Sequence, residues 1–251
     1  MKVCYGRVTN KSRQCYNRVT EQIRRLHSNP MDTINTLLIA TRNDHKVGEI
    51  RAILGEQFHY LTLKDFPDAP PVIEDADTFE GNATKKANEL ARWLNEAWSA
   101  ERGERNGFVL ADDSGLEVDA LNGKPGIHSA RFAALDSSNP GNSPDADNNA
   151  KLLRLLQNVT AEKRTARFRC VIALVSCHPP SSIFHPQIFS GTCEGRIDSS
   201  PHGKGGFGYD PLFIPDGFDV SFAELGEDVK NKLSHRAKAL AKLQEYFNGK
   251  Y

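Results

Sequence analysis

Four short clusters carry most of the residues in this chain that could act on a small charged molecule: Thr41-Arg42-Asn43-Asp44-His45-Lys46, Ala111-Asp112-Asp113-Ser114-Gly115, Phe207-Gly208-Tyr209-Asp210 and Ser234-His235-Arg236. The first and last offer cations, hydroxyls and amides suited to phosphate oxygens. The second offers paired carboxylates for a metal ion and a water, and the third sets an aromatic face beside an acid. Together they supply the parts of a metal-assisted nucleotide hydrolase, and none would suffice alone.

Adjacent buried aspartates are costly unless something positive neutralises them, because close like charges raise one pKa sharply. A divalent metal is the natural partner for Asp112 and Asp113; the plainer alternative is a solvated turn whose carboxylates cap neighbouring amides. Successive side chains near a strand end point in different directions, so one carboxylate can face a site while the other faces hydrogen-bond donors. Glu74 lies in an acidic run ahead of a helix and could give the same ion a second oxygen. Magnesium suits such a pair, because it takes few carboxylates and completes its shell with water and substrate phosphates. Viewed alone, Glu74 is better explained as an acid favourable to the helix N-terminus.

Lys46 opens one helix, Lys230 precedes the last, and His235 and Arg236 fall in that last helix's first turn. Cations there are unfavourable unless an anion is shared, and a phosphate would account for both. Phe207 and Tyr209 flank Gly208 in a segment too glycine-rich for ordinary core packing, so a ring could stack on a flat base. Core filling ahead of Phe213 is the alternative. Gly203-Lys204-Gly205-Gly206 does not fit the phosphate loop GxxxxGK[ST], and the chain has no dinucleotide-binding fingerprint, which disfavours a kinase-like site.

The hydrophobic pattern sets these clusters on alternating strands and helices. Leu37-Leu38-Ile39-Ala40 is a strand, residues 41–46 a loop, and Val47, Ile50 and Leu54 the apolar face of a helix. Such a loop turns backbone N–H groups and a helix dipole toward phosphate oxygens. Residues 58–63 form a second strand. Phe79, Ala83, Ala87, Leu90, Leu94 and Trp98 make one stripe of a long helix, with Asp77 and Glu80 spaced as a capping box. Residues 108–111 form a strand that ends at the acidic pair, and Leu116, Val118 and Ala120 alternate as a second, half-buried one would. A turn at 123–126, a mobile loop over 136–148, a helix from about 145 to 158 and strands near 166–176 and 183–197 follow, the last two linked like a hairpin. A flexible glycine segment then leads to a C-terminal helix after Ser234.

At 251 residues, with 39% hydrophobic and 25% charged, the chain suits one domain of two lobes. Net charge is zero, but residues 1–30 hold seven Lys/Arg against one acid, Glu21, which leaves the body mildly acidic. That balance gives no basic stripe for nucleic acid. The five cysteines lack CxxC spacing and are odd in number, so neither a zinc site nor a disulfide framework is indicated, and a reducing cytoplasm is the simplest location. No apolar run approaches a membrane span. Residues 1–32 read as a mobile basic extension, against the alternative of a transit-like or nucleic-acid-contacting tail, and 33–251 as the working domain.

In order along the chain, ATRNDHK, EDADTFEGNA, ADDSGLEVDAL, GKPGIHSARF, GGFGYDPLF and KNKLSHRAKAL resemble the inosine triphosphate pyrophosphatase family, from about residue 37 to residue 247. The resemblance implies an α/β fold, an elongated two-lobed mixed β-sheet flanked by helices, with the active site in the cleft between the lobes. It further implies magnesium-dependent hydrolysis of ITP, dITP or XTP to the monophosphate and pyrophosphate by a homodimer. The loop from Thr41 through Arg42, Asn43, Asp44 and His45 to Lys46 matches the phosphate-holding loop, Asp113 the proton acceptor and metal ligand, and Glu74 the other metal-associated acid. Ser114, Phe207, Gly208, Tyr209, Asp210, Lys230, His235 and Arg236 match substrate-binding positions, and Arg131 a further polar contact. Two positions depart from the family: Arg42 and Gly81 stand where members often have glycine and glutamate respectively.

The expected mechanism has Mg²⁺ on Glu74 and Asp113, with Asp113 as base for a water attacking the α-phosphorus and Asp112 as orienting neighbour or second ligand. His235 and Arg236 are candidate donors to a 6-oxo purine. The rival readings are a phosphatase that releases orthophosphate and a non-catalytic nucleotide-sensing module.

Overall fold

The computed structural model describes residues 35–99, 107–136, 141–177 and 185–250. The basic extension, residues 137–140 of the expected mobile loop and the link at 178–184 lie outside the described residues. Six strands form one mixed sheet in the order β2-β1-β3-β4-β5-β6, where β1 is Thr36–Ile39, β2 His59–Thr62, β3 Gly107–Val118, β4 Thr165–Ser176, β5 Gln187–Ile197 and β6 Phe213–Pro215. β1 pairs in parallel with β2 and β3, and every later pairing is antiparallel. The helices are α1 (Asp44–Leu54), α2 (Phe79–Ser99), α3 (Asp145–Leu156), α4 (Phe222–Leu225), α5 (Glu227–Leu233) and α6 (His235–Lys250).

Three apolar clusters make two lobes of this sheet. In the larger lobe, Val109, Ala111, Val171 and Ala173 face α2 through Ala83, Ala87 and Leu90. The alternate residues Phe108, Leu110, Cys170 and Ile172 face α1 and α6 through Ile50, Leu240 and Leu243. The smaller lobe gathers Leu116, Val118, Phe168, Cys193, Ile197 and Phe213 against Leu152 and Leu156 of α3. β3 and β4, of 12 residues each, run through both lobes, a reach of about 40 Å at strand rise.

The acidic pair therefore sits in mid-strand, a correction to the expected strand end. β3 continues because β4 pairs with it from Phe108 to Val118, covering Asp112 and Asp113. The polar sequence reflects the other edge: β1 stops at Ile39 opposite Leu110, so no strand pairs with that edge of β3 until the bridge of Glu117 to Pro125, and the cleft opens in between.

Helix starts also differ in detail. The first loop is shorter than expected, because Asn43 is already the N-cap of α1 and its side chain accepts from the Lys46 N–H; Asp44, His45 and Lys46 form the first turn. At α2 the cap is Thr78, whose hydroxyl accepts from the Gly81 N–H at 3.0 Å, and not Asp77. Position 81 is thus the third residue of the helix, and a Cβ there would stand 2.8 Å from the Ala76 Cβ and 3.0 Å from the Thr78 hydroxyl. Two short helices, α4 and α5, precede α6 where no regular element was expected, and Lys230 lies within α5.

Candidate active site

Because side chains alternate across a strand, Asp112 and Asp113 face opposite sides of the sheet, and their surroundings differ sharply. Asp112 looks toward α1 and α6. Its Oδ1 accepts from Lys46 Nζ at 2.5 Å and Ser114 Oγ at 2.7 Å, and its Oδ2 from Arg236 Nε and Cys170 Sγ, both at 3.0 Å. Burial alone would raise its pKa, but Arg236 and Lys46 outweigh burial and hold the carboxyl well below the usual range. Both oxygens of Asp112 are engaged, which suits a fixed counter-charge.

The same network continues through Glu49, which no sequence motif singled out. Its carboxylate meets Arg236 Nη1 and, at 2.8 Å, Lys230 Nζ, which in turn reaches Asp210 at 2.6 Å. Burial opposes ionisation of Glu49, yet Arg236 and Lys230 bring its pKa below the ordinary value. Three carboxylates, Glu49, Asp112 and Asp210, thus answer three cations, Lys46, Lys230 and Arg236. Arg236, for which a phosphate partner is expected, already holds two carboxylates, Glu49 and Asp112. The signal available in sequence was Glu49 three residues after Lys46, on one face of α1.

His235 is neutral and not a cation. It is buried, its ring stacked on Phe168 with centroids 4.8 Å apart and planes 13° from parallel. Burial first, then the neighbouring Arg236, pushes its pKa well below the usual histidine value, and its Nδ1 has no hydrogen-bond partner. Gly191 of β5 lets this turn of α6 sit so close, since a Cβ there would stand 2.7 Å from the Ala239 nitrogen and closer still to the His235 carbonyl.

Asp113 looks toward α2. It is buried, and its Oδ2 has no hydrogen-bond partner. Burial raises its pKa to about 6, with the nearby Glu74 adding to the effect and Lys46, an Asn82 hydrogen bond and Lys86 opposing it. Asn82 is fixed by accepting from the Ala76 N–H at 2.9 Å, and Lys86, one turn further along α2, pairs with Glu74 at 2.5 Å. Neither Asn82 nor Lys86 was anticipated, although their i, i+4 spacing puts them on one helix face. Arg131 Nη2 lies 3.5 Å from the Glu74 carbonyl oxygen, beside the same segment.

The cleft itself is lined by Asn43, Lys46, Ser114, Phe207, Gly208, Tyr209, Asp210, Lys230, His235 and Arg236 among others. Of the remaining anticipated residues, Arg42 is exposed, Asp44 is exposed and paired with Lys64 at 2.6 Å, and Thr41 caps the loop by accepting from the Asn43 N–H at 3.1 Å. His45 reaches over to stack on Phe207, centroids 5.2 Å apart. The two aromatics of the glycine segment part company. Tyr209 is core, its hydroxyl donating to the Ser129 carbonyl at 2.9 Å, whereas Phe207 is half-buried with Lys230 Nζ 4.4 Å from its ring centre. Between them the Gly208 peptide is held by α3: its N–H donates to Asp145 at 2.6 Å and its carbonyl accepts from Asn149 at 3.0 Å.

Among the described residues no group of three or more His, Cys, Asp or Glu side chains could hold a metal ion. Two carboxylates, Glu74 and Asp113, with one buried oxygen unsatisfied, are the residues here that could hold a divalent ion whose shell is completed by water and substrate. No helix among the described residues is long and apolar enough to cross a membrane.

The chain is similar to known proteins over most of its length. The dITP/XTP pyrophosphatase of Geobacter sulfurreducens is 48% identical over 211 residues, covering 84% of this chain and 95% of that protein. The dITP/XTP pyrophosphatase of Shouchella clausii is 43% identical over 216 residues, covering 86% and 98%. Among solved structures, the Staphylococcus aureus Ham1 protein is 35% identical and superposes with a TM-score of 0.69 over 86% of this chain and 100% of that one. With the profile of the Ham1 family matching residues 37–246, across both lobes and every strand of the sheet, the chain belongs to the Ham1 family.

Proposed function

We propose that this chain hydrolyses deaminated purine nucleoside triphosphates, ITP, dITP and XTP, to the monophosphate and pyrophosphate in a magnesium-dependent reaction. The observation that carries this is electrostatic. Lys46, Lys230 and Arg236 are already matched by carboxylates, so the charge of a triphosphate needs a further cation, and the unsatisfied Asp113 oxygen beside Glu74 suits one. The relatives named dITP/XTP pyrophosphatase supply the substrate class.

Glu74 and Asp113 would hold the magnesium ion, which when bound supplies Lewis-acid neutralisation of the phosphate charge. Asp113, with a pKa raised to about 6, is mostly ionised at neutral pH and close enough to it to act as a base. It takes a proton from water as the water oxygen bonds to the α-phosphorus, and the bond from that phosphorus to the β-bridging oxygen breaks to release pyrophosphate. Phe207 offers its ring to the base. His235, neutral and with one ring nitrogen unpaired, is the better donor to a 6-oxo group, since adenine would leave that N–H facing an amino group. A homodimer in the cytoplasm is part of the same proposal, in keeping with the buried free thiols of Cys170, Cys177 and Cys193.

The test is a pyrophosphate-release assay on ITP, XTP, dITP, ATP and GTP with and without magnesium. Pyrophosphate as first product, from the deaminated purines and only with the metal, is expected. Orthophosphate as first product would make the protein a phosphatase, and binding without turnover a sensor. Light scattering reads the dimer directly.

A further inference from the structure

Consecutive acids ahead of α2 each meet a lysine of that helix, and the two pairs are not alike. Asp75 pairs with Lys85 at 2.5 Å, the side chains 64% and 32% exposed. Glu74 pairs with Lys86 at the same distance, but there the side chains are 32% and 13% exposed. The outer pair is a solvated surface contact of little energetic weight. The inner one stands beside Asp113, on the face of α2 from which Asn82 hydrogen-bonds that carboxyl.

Lys46 also acts on Asp113, but it is paired with Asp112, so on the α2 side Lys86 faces both carboxylates. Asp113 keeps one buried oxygen without a partner, so the ammonium satisfies Glu74 and leaves Asp113 short. A flexible lysine stem can carry its charge elsewhere when a stronger cation arrives.

We propose that Lys86 is the resident counter-ion of the divalent-cation site: its ammonium occupies the charge position beside Glu74 and Asp113 until the metal displaces it. This rests on the assignment of Glu74 and Asp113 as the metal-holding pair. The site is thereby kept assembled and partly neutralised before loading, and the metal binds in competition with Lys86. A lysine that merely clips the 74–75 segment to α2 has the opposite signature, because its loss would loosen Glu74 and weaken the metal.

The experiment is direct Mn²⁺ binding to the full chain, free Mn²⁺ being read by electron paramagnetic resonance without nucleotide. Wild type, Lys86→Met, Lys86→Gln, Lys85→Met and Glu74→Gln are compared, each first shown by circular dichroism to melt cooperatively. Removing one positive charge within a few ångströms of a divalent ion should tighten binding by at least about fivefold in either Lys86 variant. Lys85→Met should stay within about twofold of wild type, since its charge is screened by solvent. Unchanged or weaker Mn²⁺ binding in the folded Lys86 variants, with Glu74→Gln still weakening it, overturns the proposal alone. If Glu74→Gln binds Mn²⁺ like wild type, the metal assignment itself fails and the proposal with it.

Discussion

Replacing Glu49 by glutamine should destabilise the empty protein and be rescued by an anion. The substitution keeps the volume and removes the charge that Arg236 Nη1 and Lys230 Nζ share, in a side chain only 11% exposed. Breaking a buried pair from one side costs about 3–5 kcal/mol. Here Asp112 and Asp210 still hold the two cations, which brings the figure to about 2–3 kcal/mol. For a domain of this size that is a fall in Tm of about 5–10 °C. Glu49 has its pKa lowered in the folded state, so its contribution is present above the ordinary glutamate range and lost as the pH falls through the folded value. The gap between variant and wild type should therefore be full at pH 7 and close in acid. The assay is calorimetry in EDTA, repeated with saturating pyrophosphate, whose oxygens can take over the freed cations. The variant should gain more from pyrophosphate than wild type does. A fall of less than about 2 °C, or an equal gain in both proteins, would refute the charge-balance argument.

Other consequences can be checked as simply. Asp113→Asn should lower kcat for ITP by about 10²–10⁴-fold, as loss of a general base does. The same change should stabilise the metal-free fold above pH 6: with its pKa raised to about 6, Asp113 favours folding while protonated and loses that contribution as the pH rises. Melting curves in EDTA at pH 4.5 and 8 decide it, the stabilisation being small at the lower pH, where the penalty has only begun to build, and full at the higher. Metal binding at pH 6 should release a proton from Asp113, seen as a buffer-dependent heat in titration calorimetry that fades by pH 8. Asp145→Ala, which frees the Gly208 N–H, should raise KM for ITP about fivefold or more and change kcat much less; equal losses in both would place Asp145 in the chemistry.

Much of the scaffold was legible because periodicity reports burial directly. The apolar spacing of α2 and α6 and the runs of β1 and β4 appear where their patterns put them. The passage of β3 through the acidic pair was not, since Asp-Asp-Ser-Gly is a turn by local chemistry and only pairing with β4 makes it strand. Clusters that converge on the cleft could be named from residue type, yet the protonation of His235 depends on Phe168 packed against it from β4. Glu49 escaped notice for a similar reason: its partner Arg236 is 187 residues away, and its spacing from Lys46 does not point to that contact. The Asp145–Gly208 clamp spans 63 residues and involves a backbone group, which no motif encodes.

The division of labour between Asp112 and Asp113 comes down to parity. Neighbours in a pleated strand take opposite sides, so one dipeptide delivers an anchored charge to α6 and a reactive one to α2 without any loop between them. A single-residue insertion or deletion in β3 ahead of the pair would exchange the two assignments, sending the wrong carboxylate to Arg236 and stranding the other among apolar neighbours. The eleven-residue register with β4 is therefore the device that keeps the chemistry right-side out, and in this family indels in that strand should be more damaging than many substitutions within it.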